Sequence, residues 1–421
     1  MQDHEPALET TSNATSDTST DATLLVTVSG PDQRGITSTL MELLSLHGAV
    51  IDDAEQVVVR GHLVLGVIAK AASDRREPLR SDLDLFAAER GLHITVVDTD
   101  PPPTPRRHGV IVTAIAPQVT STHFNAVARA IAAAGGNIDR IVRLARYPVS
   151  AYELQVQLAD LEPLRSQLVA VSREFSIDIA IQPEGLGRRA QRLVVMDVDS
   201  TLIQDEVIEL IADLCGCGDR VKEITDRAMA GEIDFEQSLR ERVRLLKGLQ
   251  ASELETALSK VRLTPGARTF TRTLRRLGFR IAIVSGGFTY FTDALKTDLE
   301  LDYAFANELE IIDGVLTGEL TGPVVDRARK AELLRYVAEL EGIALDQTVA
   351  VGDGANDLDM LAVAGLGIAF NAKPVVRNAA SATLNVPYLD AVLFMLGVSR
   401  SEVEAADEAE GYLADYPPVE P

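Results

Sequence analysis

Tryptophan is absent from this 421-residue sequence, and cysteine occurs only at Cys215 and Cys217. Cysteines one residue apart cannot staple distant parts of a fold. With no further cysteine and no nearby histidine they also make a poor zinc site, so they read as ordinary cytosolic thiols. Long apolar runs are missing too: none approaches the ~20 residues needed to cross a bilayer, which excludes a membrane partner. Met1 to Thr20 contain neither an apolar core nor any Lys or Arg. That excludes a secretory signal and a transit peptide and leaves a cytoplasmic location as the expectation. Positive charge is scarce: 40 Lys and Arg face 63 Asp and Glu, a formal net charge of −23. A nucleic-acid binder needs a basic face to neutralise phosphates, so nucleic acid is excluded as a partner. Such a chain can still hold a small phosphate through a local cation, a metal or aligned backbone amides.

What is present is the composition of a soluble globular protein, 46% hydrophobic and 24% charged, with length for two or three domains. Residues 1–22 are rich in Ser, Thr, Asp and Ala and read as a disordered tail. Residues 402–421 are acidic and contain proline, and read as a loose tail. Two breaks, Asp100-Pro101-Pro102-Pro103-Thr104-Pro105-Arg106-Arg107 and Gln182-Pro183-Glu184-Gly185-Leu186-Gly187-Arg188-Arg189, leave three pieces, 23–100, 108–182 and 190–400.

The first two pieces repeat one pattern. Each opens with a strand-like run, Leu24–Val28 and Val110–Ala114, followed by an amphipathic helix. Ile36, Leu40, Leu43 and Leu44 share one face, as do Phe124, Val127 and Ile131. Gly48 and Gly135 end these helices in left-handed caps, and Ile51-Asp52 and Ile138-Asp139 follow at the same offset of 87 residues. Two more strand patterns, a second helix and a final strand (His93–Val97, Ile177–Ile181) complete two β-α-β-β-α-β units. This arrangement resembles the ACT domain, a family of small-molecule sensors that usually bind amino acids. Gly30-Pro31-Asp32-Gln33-Arg34-Gly35 resembles its effector loop, with Gly30, Asp32 and Gly35 the candidate contacts. Free amides at the following helix attract a carboxylate, although a plain strand-to-helix turn fits the short motif equally well. The second unit has Ala116-Pro117-Gln118-Val119-Thr120-Ser121 there and lacks both glycines and the aspartate, so a ligand in that unit is not implied.

From Arg192 apolar strands alternate with helices, the signature of a parallel sheet. The strands read at Leu193–Val198, Phe279–Val284, Thr348–Gly352 and Gly365–Phe370, and in such sheets ligands bind beyond the carboxyl ends. Asp197-Val198-Asp199-Ser200-Thr201 places two carboxylates where their repulsion calls for a cation. Ser285-Gly286-Gly287 offers a hydroxyl and exposed amides to phosphate oxygens. Lys330 sits on a helix-like stretch, and Gly352-Asp353-Gly354-Ala355-Asn356-Asp357 brings further carboxylates. Taken singly, each has a bland alternative: a helix cap, a flexible turn, a solvated lysine. Their order at successive strand ends resembles the four motifs of the haloacid dehalogenase (HAD) phosphatase superfamily, matched by Asp197/Asp199/Thr201, Ser285, Lys330 and Asp353/Asp357. The implied fold is α/β: a Rossmann-like core with a parallel sheet and a small helical cap, preceded by two ferredoxin-like βαββαβ units.

Residues 205–262 resemble the helical cap of the phosphoserine phosphatase family in Asp205–Glu209, Arg227-Ala228-Met229, Gly231–Phe235 and Ser238–Val243. The resemblance implies Mg²⁺-dependent hydrolysis of O-phospho-L-serine, the last step of L-serine biosynthesis, through an aspartyl-phosphate on Asp197. Asp199 would be the general acid and base, and therefore protonated when substrate arrives. Asp197, Asp199 and Asp353 would hold Mg²⁺, for which Asp197 and Asp353 with a backbone carbonyl suffice. Lys330, Ser285 and the Gly286 amide would hold the phosphoryl oxygens, and Asn356 would position substrate. Glu206 would face the substrate ammonium, Arg242 its carboxylate, and Met229 and Phe235 would form an apolar lid. The ACT-like units imply an L-serine effector and a homodimer or larger assembly. A related phosphatase acting on another small phosphate, such as phosphothreonine, and an amino-acid sensor with an inactive scaffold are the competing readings.

Overall fold

A computed structural model of the chain describes residues 22–99, 109–158, 160–229 and 231–412. The tail read at 1–22 lies outside the described residues except for Ala22, and so do most of the linker after Thr99 and residues 413–421. The chain divides into two compact units, Met1–Pro105 and Arg106–Pro421.

The first unit is one antiparallel sheet. Its strands are β1 (Ala22–Pro31), β2 (Val50–Val59), β3 (His62–Ala71) and β4 (His93–Asp98), ordered β2-β3-β1-β4. Alternation turns Leu24, Val26 and Val28 of β1 and Leu63, Leu65 and Val67 of β3 to one face. The helices Ile36–Leu46 and Arg76–Arg90 cover that face with Ile36, Leu40, Leu44, Leu79, Leu83 and Phe86. Gly48, at φ 66°, takes the left-handed turn that stops the first helix, and Gly135, at φ 77°, does the same in the second unit.

The second unit contains an eleven-stranded sheet. In chain order its strands are β5 (Gly109–Ala116), β6 (Asn137–Ala145), β7 (Ser150–Gln157), β8 (Asp178–Pro183), β9 (Leu193–Met196), β10 (Arg280–Phe288), β11 (Tyr303–Ile312), β12 (Val315–Thr321), β13 (Thr348–Gly352), β14 (Leu366–Phe370) and β15 (Ala382–Leu384). The spatial order is β12-β11-β10-β9-β13-β14-β15-β8-β5-β7-β6. The strands from β11 to β15 in this order run parallel, and β9, β13 and β14 are buried at every residue, as sheets covered on both faces require. Pieces 108–182 and 190–400, which the sequence separates at its second break, share this sheet, because β8 pairs antiparallel with β15.

Three local readings change. β10 continues four residues past Val284, so Ser285-Gly286-Gly287 is a bulged strand end rather than a free turn. The sulfurs of Cys215 and Cys217 are joined as a disulfide, not held as two thiols. Residues 402–412 are not a loose tail: Arg400–Ala409 is a helix opened by a capping box between Ser399 and Glu402. That helix is anchored by buried Asp407, which accepts hydrogen bonds from Arg272 at 2.8 Å and Arg276 at 2.6 Å. Its acidity, read as solvation, is matched by arginines about 130 residues earlier in the chain, a pairing that local composition does not reveal. Asp407→Ala leaves both guanidiniums facing an empty place and is expected to destabilise the fold by about 2–4 kcal/mol in urea unfolding.

Candidate active site

The carboxyl ends of β9, β10 and β13 converge with the N-terminal turn of the helix Arg327–Leu340. Asp197 follows β9, and its backbone N–H continues the ladder to the Val351 carbonyl of β13 at 2.9 Å. Its Oδ1 accepts from Val198 N–H at 2.7 Å and from Lys330 Nζ at 2.7 Å. Lys330 is wholly buried and also donates to Asp357 Oδ1 at 2.7 Å. Asp357 in turn accepts from the Gly354 N–H at 3.0 Å. A Cβ on Gly352 would lie 2.5 Å from the Asp357 carboxyl, so only glycine leaves room for that side chain. Thr201 Oγ1 donates to Asp353 Oδ1 at 3.4 Å. Carboxylate oxygens of Asp197, Asp353 and Asp357 lie within 4.8 Å of one another.

Asp199 is held differently. Its Oδ1 accepts from Val207 N–H at 2.7 Å and its Oδ2 from Ser285 Oγ at 2.9 Å. Its carboxylate is therefore outside the acidic group in which the sequence places it as a metal ligand, and Asp357 occupies that place. Ser285 is committed likewise: its Oγ also accepts from Gly287 N–H at 2.7 Å and lies behind Asp199. Buried Asn307 of β11 donates to the Gly286 and Gly287 carbonyls at 2.8 and 3.2 Å and accepts from Val325 N–H at 2.8 Å. It fixes the bulge and so aims the glycine amides. No motif marks it, since a lone asparagine in Ala306-Asn307-Glu308 carries no sequence signal.

Above these residues is a cavity of about 670 Å³, lined by Asp197, Asp199, Asp353, Asn356, Gly286, Glu206, Arg242 and Phe235, among others. The last three come from the cap, whose helices are Val207–Leu214, Gly218–Met229, Phe235–Arg244 and Glu253–Leu258. Phe235 leans on Gly286, where an added Cβ would come within 3.1 Å of the ring. Glu206 Oε1 accepts from Ser200 Oγ at 2.9 Å, and Ser200 itself has a left-handed backbone, φ 57°. Met229 ends its helix, and its side chain lies outside the described residues. Gly30, inside β1, and Asp32 and Gly35, in the exposed turn before the helix Ile36–Leu46, belong to the first unit. The sequence reading missed the wall of this cavity at Lys373, Val375 and Val376, which lies beyond the last motif.

Residues 194–362 match the haloacid dehalogenase-like hydrolase family, and residues 22–97 and 107–182 each match an ACT domain. The chain is 52% identical over 404 residues to a phosphoserine phosphatase of Streptomyces coelicolor, covering 96% of this chain and 98% of that one. A phosphoserine phosphatase of Mycobacterium tuberculosis is 48% identical over 394 residues, covering 92% and 96% of the two chains. The chain belongs to the phosphoserine phosphatase family. Among solved structures, a HAD family hydrolase of Salmonella enterica serovar Typhi superposes with a TM-score of 0.61 at 33% identity, covering 68% of this chain and 98% of that one. A probable phosphoserine phosphatase of Vibrio cholerae in unliganded form superposes at 0.56 and 35% identity, covering 75% and 92%.

In this family member the site's electrostatics are those of crowded acid. Burial, then the charge of Asp357, pushes the Asp197 pKa well above the carboxylate range, with Lys330 pulling the other way. Burial raises Asp199 against its hydrogen bonds from Val207 and Ser285. Burial and Asp357 lift Asp353 to about 6, and the cavity walls and Asp199 lift Glu206 to about 7. Burial alone would lower Lys330, but Asp197 and Asp357 hold it above its usual value. Burial lowers Arg242, opposed by Glu206 and Asp199. One lysine thus faces four carboxylates, and three of them present hard oxygen donors to a common point. That donor set fits a divalent cation that prefers oxygen.

The pH dependence has a definite sign. Asp353 titrates at about 6 when folded against 3.8 ordinarily, so the folded state holds more protons across that window and stability falls as pH rises through it. Lys330→Met removes the cation shared by Asp197 and Asp357 and enlarges this effect. Urea unfolding without metal is expected to show a loss of about 3–5 kcal/mol near pH 8, shrinking towards pH 5.

Proposed function

We propose that the chain hydrolyses O-phospho-L-serine to L-serine and phosphate, with Asp197 as nucleophile. The observation that carries this reading is that one cavity is lined both by Asp197, Asp199 and Asp353, with Lys330 buried against Asp197, and by the pair Glu206 and Arg242. Phosphoserine is a zwitterion carrying a phosphate, so its pocket needs a cation site, an anion, a fixed guanidinium and a dry cover.

A carboxylate oxygen of Asp197 attacks phosphorus, and the bond from phosphorus to the serine oxygen breaks, leaving an aspartyl-phosphate. Asp199 gives its proton to the departing oxygen. Its raised pKa keeps that proton available, and its hydrogen bonds from Ser285 and Val207 hold the carboxyl in place. Asp199 then takes a proton from the water that attacks phosphorus, and the bond to Asp197 breaks to release phosphate. Lys330, bound to Asp197, opposes the burial that would neutralise the nucleophile, and the Gly286 amide at the cavity wall would hold a phosphoryl oxygen. Ser285 acts through Asp199 and through the bulge. Asp197, Asp353 and the Asp199 backbone carbonyl, beside Asp357, would hold Mg²⁺, which when bound would supply charge that stabilises the phosphoryl oxygens. Glu206 takes the ammonium and Arg242 the carboxylate, and Asn356 positions substrate. Phe235 covers the pocket and excludes water from the first step.

The domains follow as 23–100 and 108–182 for the sensor-like units and 190–400 for the phosphatase, with its cap at about 205–262. L-serine as effector at Gly30, Asp32 and Gly35, a homodimer and a cytoplasmic location complete the proposal. Among the described residues no helix is long and apolar enough to cross a membrane.

Asp197→Asn is expected to lower kcat at least ~10³-fold while leaving the circular dichroism spectrum unchanged, since the reaction loses its nucleophile. Wild-type turnover by that variant overturns the assigned role. Chelation with EDTA is expected to stop phosphate release and added Mg²⁺ to restore it. Arg242→Ala is expected to raise KM for phosphoserine ~10²-fold and to change turnover of p-nitrophenyl phosphate by less than ~3-fold, as a bidentate partner of the carboxylate would. An unchanged ranking across phosphoserine, phosphothreonine and p-nitrophenyl phosphate counts against the pocket assignment.

A further inference from the structure

The second sensor-like module is joined through its sheet to the segment that walls the substrate cavity. β8 of that module pairs with β15 at Ala180 and Ala382, and β15 pairs with β14. Residues 371–381 connect β14 to β15, and Lys373, Val375 and Val376 of this segment line the cavity. The segment leaves β14 through a left-handed Asn371, φ 45°, and continues into a single short helix, Pro374–Arg377. So short a helix has little stability of its own, and its position depends on what holds it from outside.

Two side chains of the second module do so. Asp178, the first residue of β8, is 3% exposed and serves no catalytic purpose. Its Oδ2 accepts from Asn385 N–H at 2.7 Å, and its Oδ1 accepts from Asn385 Nδ2 at 2.5 Å and from Thr383 Oγ1 at 3.5 Å. All three donors belong to the strand and turn just after the segment. Arg173, on the helix Leu161–Phe175, donates to Asn378 Oδ1 inside the segment. Burying a carboxylate is costly unless each lone pair is answered, so Asp178 tolerates little displacement of Asn385.

We propose that Asp178 and Arg173 are positioning residues for substrate binding: from the second module they hold residues 371–381 as one wall of the cavity. The module thereby supports the phosphatase whether or not it binds an effector. The proposal rests on the phosphatase reading only for its kinetic assay, and a second readout needs no turnover.

The test uses the full chain with Asp178→Ala, Arg173→Ala, and the exchange Asp178→Asn with Asn385→Asp. In the exchange, the new amide oxygen accepts from the residue 385 N–H and its NH₂ donates to the new carboxylate, so the tie is rebuilt in reverse. Phosphoserine kinetics and hydrogen–deuterium exchange of peptides covering 371–381 are measured for each. Asp178→Ala is expected to raise KM ~5–10-fold and Arg173→Ala ~2–3-fold, with kcat within ~2-fold of wild type. Amides in 371–381 are expected to exchange ~10-fold faster in Asp178→Ala, and the exchanged pair to restore both values. Should Asp178→Ala fail to fold, Arg173→Ala, an exposed residue, decides alone. Wild-type KM and wild-type exchange in the variants overturn the proposal. So does a fall in kcat at unchanged KM, the mark of a general loss of folded enzyme. A wild-type chain without phosphoserine turnover sinks the phosphatase reading, while faster exchange in the variants still upholds the wall.

Discussion

One buried lysine organises the catalytic end of this molecule. Lys330 is out of contact with water and bridges Asp197 and Asp357, two carboxylates that could not otherwise share so small a volume. The pair contributes little net stability once the desolvation of three charges is counted. What it supplies is a fixed arrangement: Lys330 opposes the burial that raises the Asp197 pKa, and Asp357 is drawn inward so that Gly352 must lack a side chain. Neutralisation is also incomplete. The surplus negative charge that remains beside Asp197 and Asp353 is what gives a divalent cation a place there, while burial raises the Asp199 pKa as acid catalysis requires.

The two aspartates of the first motif are two residues apart and belong to different environments. Asp197 faces Lys330 and the acidic group. Asp199 faces a hydroxyl and an amide, Ser285 and Val207, and both can serve a protonated or an ionised carboxyl. Two identical side chains are thereby separated in role by their neighbours alone, and the neighbours come from a different strand and from the cap.

Much of this was legible in the chain. The period-two runs at Leu24–Val28 and Val110–Ala114, the helix faces at Ile36/Leu40/Leu44 and Val127/Ile131, and the glycines at 48 and 135 specify local structure through local physics, and the observed elements follow them. The acidic and lysine motifs were legible as well, because chemistry restricts which residue types can sit there. What stayed hidden depends on long-range pairing. Asn307 is one of several polar residues in β11 until the bulge it holds is known. Asp357 joins Asp197 and Asp353 while the Asp199 carboxylate turns to Ser285 and Val207, because spacing along a chain does not say which way a carboxylate turns. The helix Arg400–Ala409 looked like solvated acid because Arg272 and Arg276 are distant in sequence. Residues 371–381 carry no motif, and their position comes from a neighbouring sheet.

The continuity of that sheet limits how this protein could be taken apart. β8 is one flank of a four-stranded module, and in an isolated copy its amides and carbonyls on the side of β15 would face water, along with Ile115, Ala151 and Ala180, which are buried here in a core shared with the phosphatase strands. A gene fusion that transplants residues 108–182 onto another enzyme would therefore export a sticky border. The recipient would need a strand to cap it, or the product would pair with copies of itself.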